Sequence, residues 1–333
     1  MRAAYFRGNQ VIELVDVPRP ELQPGELLIQ VAANGVCGSD RKILRGGFEL
    51  IPGHEVSGTV VEITPGCETP IGARVAVYIP RHCGQCIYCQ SGRGNLCPHK
   101  PGLLGWSTNG GYAEYMALPD RNALRLDDRV SLDQGVLLLD TLGTSSHGLR
   151  LAHADQAETA LVIGAGPVGM GAVAYLSAVG VPEIFVSEFS DYRLEIARGY
   201  GAIPVNPNRE DLAQRIKDSH PYGVDLVVEA VGTLPTIWQS FDLVRPGGTI
   251  SLLGEYWGKV ELDRAKGAWM INDIQLIRSF YFTIPEFYEN QQMIIDGVLK
   301  TAPLASHSYP LEEISAAYEI FQRGDTVKVL VKP

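Results

Sequence analysis

The chain has 333 residues, of which 45% are hydrophobic and 20% are charged, and its formal net charge is −10. This length suggests about two domains, and the composition is that of a globular protein with a buried core. The acidic balance and the lack of a long Lys/Arg run argue against a nucleic-acid partner.

The sequence favours a cytoplasmic protein. The N-terminal region has no apolar signal-peptide core, because Arg7 and Glu13 interrupt it. Residues 160–182 are uncharged and long enough to cross a bilayer, but their five glycines and two prolines fit a turn between two elements better. We therefore expect no membrane span and reduced thiols, so that clustered cysteines are more typical of metal binding than of disulfides.

In chain order, the first 130 residues are rich in short β-type runs that Gly and Pro interrupt, which predicts a mainly antiparallel β domain with long loops. From about residue 155, apolar strands alternate with helices, which predicts a parallel, doubly wound sheet in an α/β fold. The predicted strands are TALVIGAG, EIFVSEFS, GVDLVVEAVG, GGTISLLG and IQLIRSFYF.

The chain is predicted to return to its first domain near the end. Two helical segments and the strand TVKVLVK follow residue 285 and end the alternation. The predicted division is a discontinuous first domain of residues 1–145 and 285–333, around a second domain of residues 146–284.

A glycine-rich turn indicates a dinucleotide. LVIGAGPVGMG contains Gly164, Gly166 and Gly169 between an apolar strand and a helix. These glycines allow a tight turn, close approach of a pyrophosphate and close helix packing, while the helix N-terminus offers free N–H groups. Pro167 and Val168 lie inside the turn and are predicted to contact the cofactor as well.

An acidic residue strengthens this prediction. Glu188 ends the next predicted strand, where a carboxylate accepts hydrogen bonds from the adenosine ribose and repels a 2′-phosphate. NAD is therefore favoured over NADP. Arg193, five residues later, could reach the ribose or a phosphate and weakens that preference.

A cysteine cluster predicts a structural metal site. Residues 81–99 contain Cys83, Cys86, Cys89 and Cys97, four soft ligands that can close a tetrahedral zinc without an open position. A zinc-ribbon nucleic-acid binder is the rival interpretation, against which the acidic charge speaks. The flanking His82 and His99 are expected to be exposed, and Cys67 to be inert.

Three further fragments carry metal-ligating residue types: GVCGSD with Cys37, PGHEVSG with His54, and LLLDTLGTSSHG with Asp140. Asp140 interrupts an apolar run, and a buried carboxylate needs a partner or a metal. With the cysteine cluster and the glycine turn in this order, the whole chain resembles the zinc-dependent medium-chain dehydrogenase/reductase family, which includes alcohol, sorbitol and threonine dehydrogenases.

The resemblance implies a GroES-like, mainly β catalytic domain, a Rossmann domain and two zinc ions per chain. Cys37, His54 and Asp140 would hold the catalytic zinc and leave one position open. Glu55 matches a residue that approaches or joins the zinc in some members. Asp40 matches a residue that orients the zinc-binding histidine.

The implied reaction is reversible hydride transfer between a zinc-bound alcohol and NAD. Ser39 would accept the proton of the alcohol, and Thr144 matches a position near the nicotinamide. A histidine often ends this proton relay in the family, whereas Lys42 stands near that place here.

The sequence leaves the substrate open among polyols, sugars, amino alcohols and secondary alcohols. The candidate lining residues are Phe48, Glu49, Trp106, Tyr256 and Trp257. An NADP-preferring carbonyl reductase and a non-catalytic nucleotide-binding or structural relative are the alternatives. IQLIRSFYF is apolar enough to be the edge strand through which such proteins form homodimers or homotetramers.

Overall fold

The computed structural model describes residues 1–261 and 271–333. Its N-terminal part is β-rich, as predicted. The strands before residue 130 are β1 (Arg2–Gly8), β2 (Val11–Asp16), β3 (Glu26–Gly35), β4 (Glu55–Ile63), β5 (Arg74–Val77), β6 (Pro80–Arg81), β7 (Gly102–Leu103), β8 (Tyr115–Pro119) and β9 (Ala123–Arg125). The helices of this part and of the segment after it are α1 (Arg41–Gly46), α2 (Ile87–Gln90), α3 (Leu132–Leu137) and α4 (Ser145–Leu151).

The C-terminal segment adds two helices and two strands, which are α9 (Ile284–Ile295), β16 (Ala305–Pro310), α10 (Ile314–Arg323) and β17 (Lys328–Lys332). The main sheet of the first domain has the order β16-β17-β3-β4-β5-β9, with β8 paired to β3 as well. β17 pairs with the end of β3, so that Leu330 lies opposite Gly35. The C-terminal segment therefore completes a sheet that strands of the N-terminal part begin.

The second sheet carries the predicted alternation. Its strands are β10 (Thr159–Ile163), β11 (Glu183–Ser187), β12 (Ile203–Val205), β13 (Val224–Glu229), β14 (Val244–Leu252) and β15 (Gln275–Arg278). The intervening helices are α5 (Pro167–Ala178), α6 (Asp191–Gly199), α7 (Leu212–Ser219) and α8 (Leu234–Leu243).

All neighbours in this sheet are parallel, in the order β12-β11-β10-β13-β14-β15, which confirms the doubly wound sheet. The order in which successive strands are added to the sheet reverses between β10 and β13. Ligands of such sheets bind in the crevice beyond the carboxyl ends of the strands at this point.

The prediction of one strand over residues 274–282 is wrong in its second half. β15 ends at Arg278, and Tyr281 and Phe282 are buried in the core of the first domain instead. The hydroxyl group of Tyr78 donates a hydrogen bond of 2.8 Å to the carbonyl oxygen of Phe282. The apolar run is therefore shared between two domains, which local apolarity does not reveal.

Within the described residues, no helix is both long enough and apolar enough to cross a membrane. The uncharged stretch 160–182 is divided among a strand, the glycine turn and α5.

Candidate metal and cofactor site

Four residues from three distant segments converge on one point. Cys37 follows β3, His54 and Glu55 lie at the start of β4, and Asp140 opens a π-helical turn. Their ligand atoms all lie within 4.8 Å of one another. His54 Nε2 is 3.3 Å from Asp140 Oδ2, and Cys37 Sγ is 3.9 Å from the same oxygen.

These residues fit a zinc ion. Sulfur, imidazole and carboxylate are zinc ligands, and a tetrahedral ion separates such ligand atoms by about 3.3–3.8 Å. Asp140 Oδ1 is buried without a hydrogen-bond partner among the described residues, as a carboxylate aimed at a metal would be. Burial alone would lower the pKa of His54, but the charge of Cys37 and a hydrogen bond to Asp140 outweigh it and raise this pKa well above its usual value.

The π-helical turn Asp140–Thr144 positions the Asp140 carboxylate. Gly143 is required because a methyl group there would overlap the Phe282 ring. The Ser145 hydroxyl group, just after the turn, donates to the carbonyl oxygen of Val168 at 2.6 Å. The turn therefore packs against the start of α5, and wide helical turns of this kind are frequent at functional sites.

A buried hydrogen-bond network lies next to the Nδ1 atom of His54. Its Nδ1 faces Asp40 Oδ1 at 3.6 Å, while Asp40 Oδ2 accepts hydrogen bonds from Tyr318 at 2.7 Å and from Tyr112 at 3.3 Å. Burial and the Asp40 charge raise the pKa of both tyrosines well above its usual value, so they stay neutral donors. The sequence analysis predicted a role for Asp40 beside the histidine, but it predicted no role for the two tyrosines.

Glu55 is held by a buried cation that the sequence reasoning missed. Lys328 Nζ lies 2.5 Å from Glu55 Oε1 and 3.3 Å from the carbonyl oxygen of Val36. Both charged side chains are almost fully buried. Burial raises the pKa of Glu55 to about 7, although Lys328 acts in the opposite direction.

Ser39 lies beside the metal-ligand cluster, and its hydroxyl group is 3.2 Å from Cys37 Sγ. Lys42, by contrast, turns toward two indoles. Its Nζ is 4.6 Å from the ring centroid of Trp106 and 4.2 Å from that of Trp257. The ring of Trp106 in turn lies 5.3 Å from that of His54, so these residues form one wall beside the cluster.

The candidate lining residues separate into two groups. Phe48 contacts Trp106 at 6.2 Å between ring centroids, which places it with Trp106 and Trp257 near the cluster. Tyr256 instead packs against the apolar core of the parallel sheet. Glu49 is exposed and lines an open groove of about 570 Å³ with Phe48.

The glycine turn has the geometry that a dinucleotide site requires. Gly164 has a φ of +88°, and a methyl group at Gly169 would overlap the carbonyl oxygen of Gly164. A methyl group at Gly166 would meet nothing within 4 Å, so the backbone there is open to a ligand. Pro167 begins α5, and Thr144 closes the neighbouring π-helical turn.

Glu188 lies at the carboxyl end of β11 and faces this turn. Its Oε2 accepts from the Ala165 N–H at 2.9 Å, and its Oε1 accepts from the Phe189 and Ser190 N–H groups. Arg193 Nη1 is 3.4 Å from Glu188 Oε2. The arginine therefore pairs with the carboxylate.

The four clustered cysteines come together in a separate lobe. Their sulfur atoms lie within 4.8 Å of one another, with neighbour distances of 3.4 to 3.9 Å. These distances exceed a disulfide bond of about 2.05 Å and match the edges of a tetrahedral zinc site of about 3.8 Å. N–H groups of Gln85 and Cys86 lower the pKa of Cys83 to about 6, whereas burial and a hydrogen bond to Cys86 raise the pKa of Cys89 to about 12.

The expectation that His82 is exposed is wrong. Its ring is buried, because Nδ1 lies 3.2 Å from the carbonyl oxygen of Pro80 and the ring packs on Tyr78. His99 is exposed, as expected. Cys67 lies apart from both clusters and donates to the Glu26 carbonyl oxygen.

Comparison with known proteins agrees with this architecture. The family model "Alcohol dehydrogenase GroES-like domain" matches residues 23–128, and the model "Zinc-binding dehydrogenase" matches residues 167–296. The L-threonine 3-dehydrogenase of Pyrococcus abyssi is 32% identical, over 97% of this chain and 94% of the relative.

Solved structures are similar along the whole chain. An alcohol dehydrogenase from a Thermus species is 30% identical, with a TM-score of 0.93 and full coverage of both chains. A zinc-binding dehydrogenase from Sinorhizobium meliloti bound to NADP is 28% identical, with a TM-score of 0.88 over 100% of this chain and 99% of that one.

The chain belongs to the zinc-dependent medium-chain dehydrogenase/reductase family. It is an oxidoreductase of this family that acts on the CH–OH group of a small molecule with a nicotinamide cofactor. The roles of individual residues, the domain boundaries and a cytoplasmic location stay predictions.

Proposed function

We propose that this protein is an NAD-dependent dehydrogenase of a secondary alcohol or polyol, with a catalytic zinc held by Cys37, His54 and Asp140. The observation that carries the proposal is the convergence of these ligand atoms within 4.8 Å of one another. This cluster is joined to the glycine turn through the contact between Ser145 and the Val168 carbonyl oxygen.

When bound, the zinc ion supplies a Lewis acid that polarises the oxygen of the substrate. Side chains of the protein would orient the metal ligand, accept the proton and limit access of water. Asp40 Oδ1 lies 3.6 Å from His54 Nδ1 and would orient the ring by its charge, with Nε2 facing the ligand cluster. The Ser39 hydroxyl group lies beside the cluster; it would accept the proton that the alcohol gives up and pass its own proton outward to solvent. Phe48 and Trp106 provide an apolar wall that limits access of water.

The preference for NAD rests on Glu188. A carboxylate beside the glycine turn accepts ribose hydroxyls and repels a 2′-phosphate. Arg193 supports the alternative of an NADP-preferring reductase, but its guanidinium already contacts Glu188 and donates to the Thr326 carbonyl oxygen at 2.7 Å. We therefore assign it to orienting the carboxylate.

The second zinc is proposed for the four-cysteine lobe. A site closed by four thiolates has no position for substrate, so its role is to stabilise the lobe.

A homodimer or homotetramer is proposed through β15. β15 pairs with β14 on one side and with no described strand on the other. Leu276, a residue of β15, is 46% exposed. Such an edge favours pairing with a symmetry mate. Sedimentation equilibrium that shows only monomer would contradict this.

The test of the function is NADH formation, followed by its absorbance, with a panel of secondary alcohols, polyols and amino alcohols. Turnover is expected with the zinc-loaded protein and is expected to fall on chelation. Asp140→Asn should lose turnover, because an amide is a poor zinc ligand, whereas Asp133→Asn, which removes a surface partner of Lys332, should not. Equal turnover of Asp140→Asn and wild type would remove Asp140 from the site.

A further inference from the structure

Two buried tyrosines converge on the carboxylate of Asp40. The Tyr318 hydroxyl group donates to Asp40 Oδ2 at 2.7 Å. The Tyr112 hydroxyl group lies 2.8 Å from that of Tyr318 and 3.3 Å from the same carboxylate oxygen. The Cys37 N–H donates to this oxygen as well, at 3.4 Å. Asp40 and both tyrosines are almost completely buried, and buried polar groups depend on such partners.

The direction of these hydrogen bonds follows from the groups involved. A carboxylate and a carbonyl oxygen only accept, so the single hydroxyl proton of Tyr318 goes to Asp40. The Tyr318 oxygen can then accept from Tyr112, whose hydroxyl group also lies 3.1 Å from the Gly35 carbonyl oxygen. Tyr318 is therefore the nearest donor to Asp40, and Tyr112 supports Tyr318.

The other oxygen of this carboxylate faces a candidate metal ligand. Asp40 Oδ1 lies 3.6 Å from His54 Nδ1. Both atoms are buried, and neither has a hydrogen-bond partner among the described residues. Because the three donors all act on Oδ2, Oδ1 is left directed at the imidazole.

The need to satisfy a buried carboxylate does not by itself account for Tyr318. The bonds from Cys37 and Tyr112 already supply donors to Oδ2, but they are long, at 3.4 and 3.3 Å. The short bond comes from α10, where the Tyr318 ring packs edge-on against Phe6 with 5.3 Å between centroids. The last helix of the chain therefore fixes where the carboxylate lies.

We propose that Tyr318 is a positioning residue, which holds Asp40 with Oδ1 opposite His54 Nδ1 and thereby raises the affinity of the ligand cluster for its metal. This inference rests on the proposed metal site. A carboxylate at Nδ1 orients the imidazole so that Nε2 is presented to a metal, and loss of such outer contacts weakens metal binding by about 10- to 100-fold. The family resemblance implies a role for Asp40 but none for Tyr318.

The experiment measures the zinc affinity of the full-length protein by competition with a chelator, with elemental analysis of the ions retained per chain. Tyr318→Phe removes only the hydroxyl group and should weaken binding at the catalytic site by about tenfold. The loss stays at the lower end of the range because Tyr112 can still donate to Asp40. The four-cysteine lobe is an internal reference and should retain its ion equally in both proteins.

A double-mutant cycle shows whether Tyr318 acts through Asp40. Asp40→Asn removes the charge opposite His54 and should weaken zinc binding at this site more than Tyr318→Phe does. Adding Tyr318→Phe to Asp40→Asn should then cost little more, because the effect of the tyrosine passes through the carboxylate. Two fully additive losses would contradict the inference.

Tyr200→Phe is the matched control. It removes a hydroxyl group just after α6 that donates to the Lys300 carbonyl oxygen at 2.8 Å, so it should lower the melting temperature without changing zinc affinity. Tyr112→Phe gives a second test, even if Tyr318→Phe does not fold. Tyr318 still donates to Asp40 in that variant, so zinc affinity should stay close to that of wild type; a loss as large as that of Asp40→Asn would contradict the assignment.

Wild-type zinc affinity in Tyr318→Phe, with only a lower melting temperature, would overturn the inference. Failure of the proposed function has a different signature, namely no NADH formation with any alcohol while the zinc affinities follow the predicted order.

Discussion

Glu188 is the residue on which the proposed preference for NAD rests. Its two carboxylate oxygens accept from backbone N–H groups of the glycine turn and of the segment after β11, and Arg193 lies against one of them. These donors fix the orientation of the carboxylate, so that its remaining lone pairs can accept from a ribose.

Glu188→Ala should raise the KM for NAD by about tenfold, the value of one hydrogen bond to a charged group. The KM for NADP should stay the same or fall, because the repulsion of the 2′-phosphate is removed and Arg193 becomes free to bind it. Steady-state kinetics with both cofactors measures this. Glu195→Ala, which removes an exposed carboxylate of α6, is the matched control. A wild type that already prefers NADP would contradict the ribose argument.

Among individual residues, those that belong to a local sequence motif could be predicted. Cys37, His54 and the four cysteines stand in short fragments of recognisable spacing, and the structure brings each set together. Lys328 and Tyr318 could not be predicted, because a single lysine or tyrosine in an amphipathic segment has no distinguishing pattern. Only the pairing of β17 with β3 brings Lys328 to the cluster.

Among the elements, α9 is tied to α4 beside the π-helical turn. Glu286 caps the first turn of α9 and contacts His147 Nδ1 of α4 at 2.8 Å. Burial acts against the charged carboxylate, but hydrogen bonds from His147 and the Thr283 N–H lower the pKa of Glu286 below its usual 4.5.

A carboxyl group whose pKa is lower in the folded than in the unfolded protein stabilises the fold. This stabilisation is fully present when the pH is above the pKa of the unfolded state, and it is lost as the pH falls through the pKa of the folded state. Glu286→Gln should therefore cost about 1–2 kcal/mol at pH 7, and the difference from wild type should shrink toward pH 4. Thermal unfolding at both pH values measures it. Glu289→Gln, on the exposed face of the same helix, controls for zinc loss in acid. A difference that grows in acid would contradict the assignment.

The four-cysteine lobe is an element without a core of its own. The Gly92 carbonyl oxygen accepts from the Ile284 N–H at 3.0 Å, and Asn95 donates to the Phe280 carbonyl oxygen at 2.9 Å. The lobe thereby supports the segment that brings Phe282 against Gly143 in the π-helical turn.

Cys97→Ser should reduce zinc content from two ions per chain to one and lower the melting temperature, because the lobe depends on its metal. Turnover should fall without being abolished, since the catalytic ligands remain. Elemental analysis and calorimetry measure both effects. Cys67→Ser, which alters a cysteine outside the clusters, should change neither. Loss of both zinc ions in Cys97→Ser would show that the two sites are not independent.

Elements were predictable where periodicity was strong. The strands and helices predicted around the glycine turn are present in the structure, whereas β12 and α7 were not predicted. β12 is a three-residue edge strand that contains Pro204, and α7 is short and mostly polar, so neither has an apolar pattern of useful length. The second half of IQLIRSFYF was misassigned because burial in the neighbouring domain is not a local property.

In the whole molecule, the two ends of the chain complete the candidate site together. The N-terminal half contributes Cys37, His54 and Asp140, whereas the C-terminal segment contributes Lys328 and Tyr318, the residues that hold Glu55 and Asp40. The glycine turn of the parallel sheet lies against the π-helical turn that carries Asp140. Ligand cluster, supporting network and cofactor crevice therefore depend on the long-range pairing of both domains.

The central claim is that a metal ion binds among Cys37, His54 and Asp140, separately from the four-cysteine lobe. Anomalous diffraction from crystals of the zinc-loaded protein, recorded on both sides of the zinc absorption edge, tests it directly. The account predicts two peaks per chain, one between these three residues and one between the four sulfur atoms. A peak in the lobe alone, from protein that oxidises alcohols, would contradict the account.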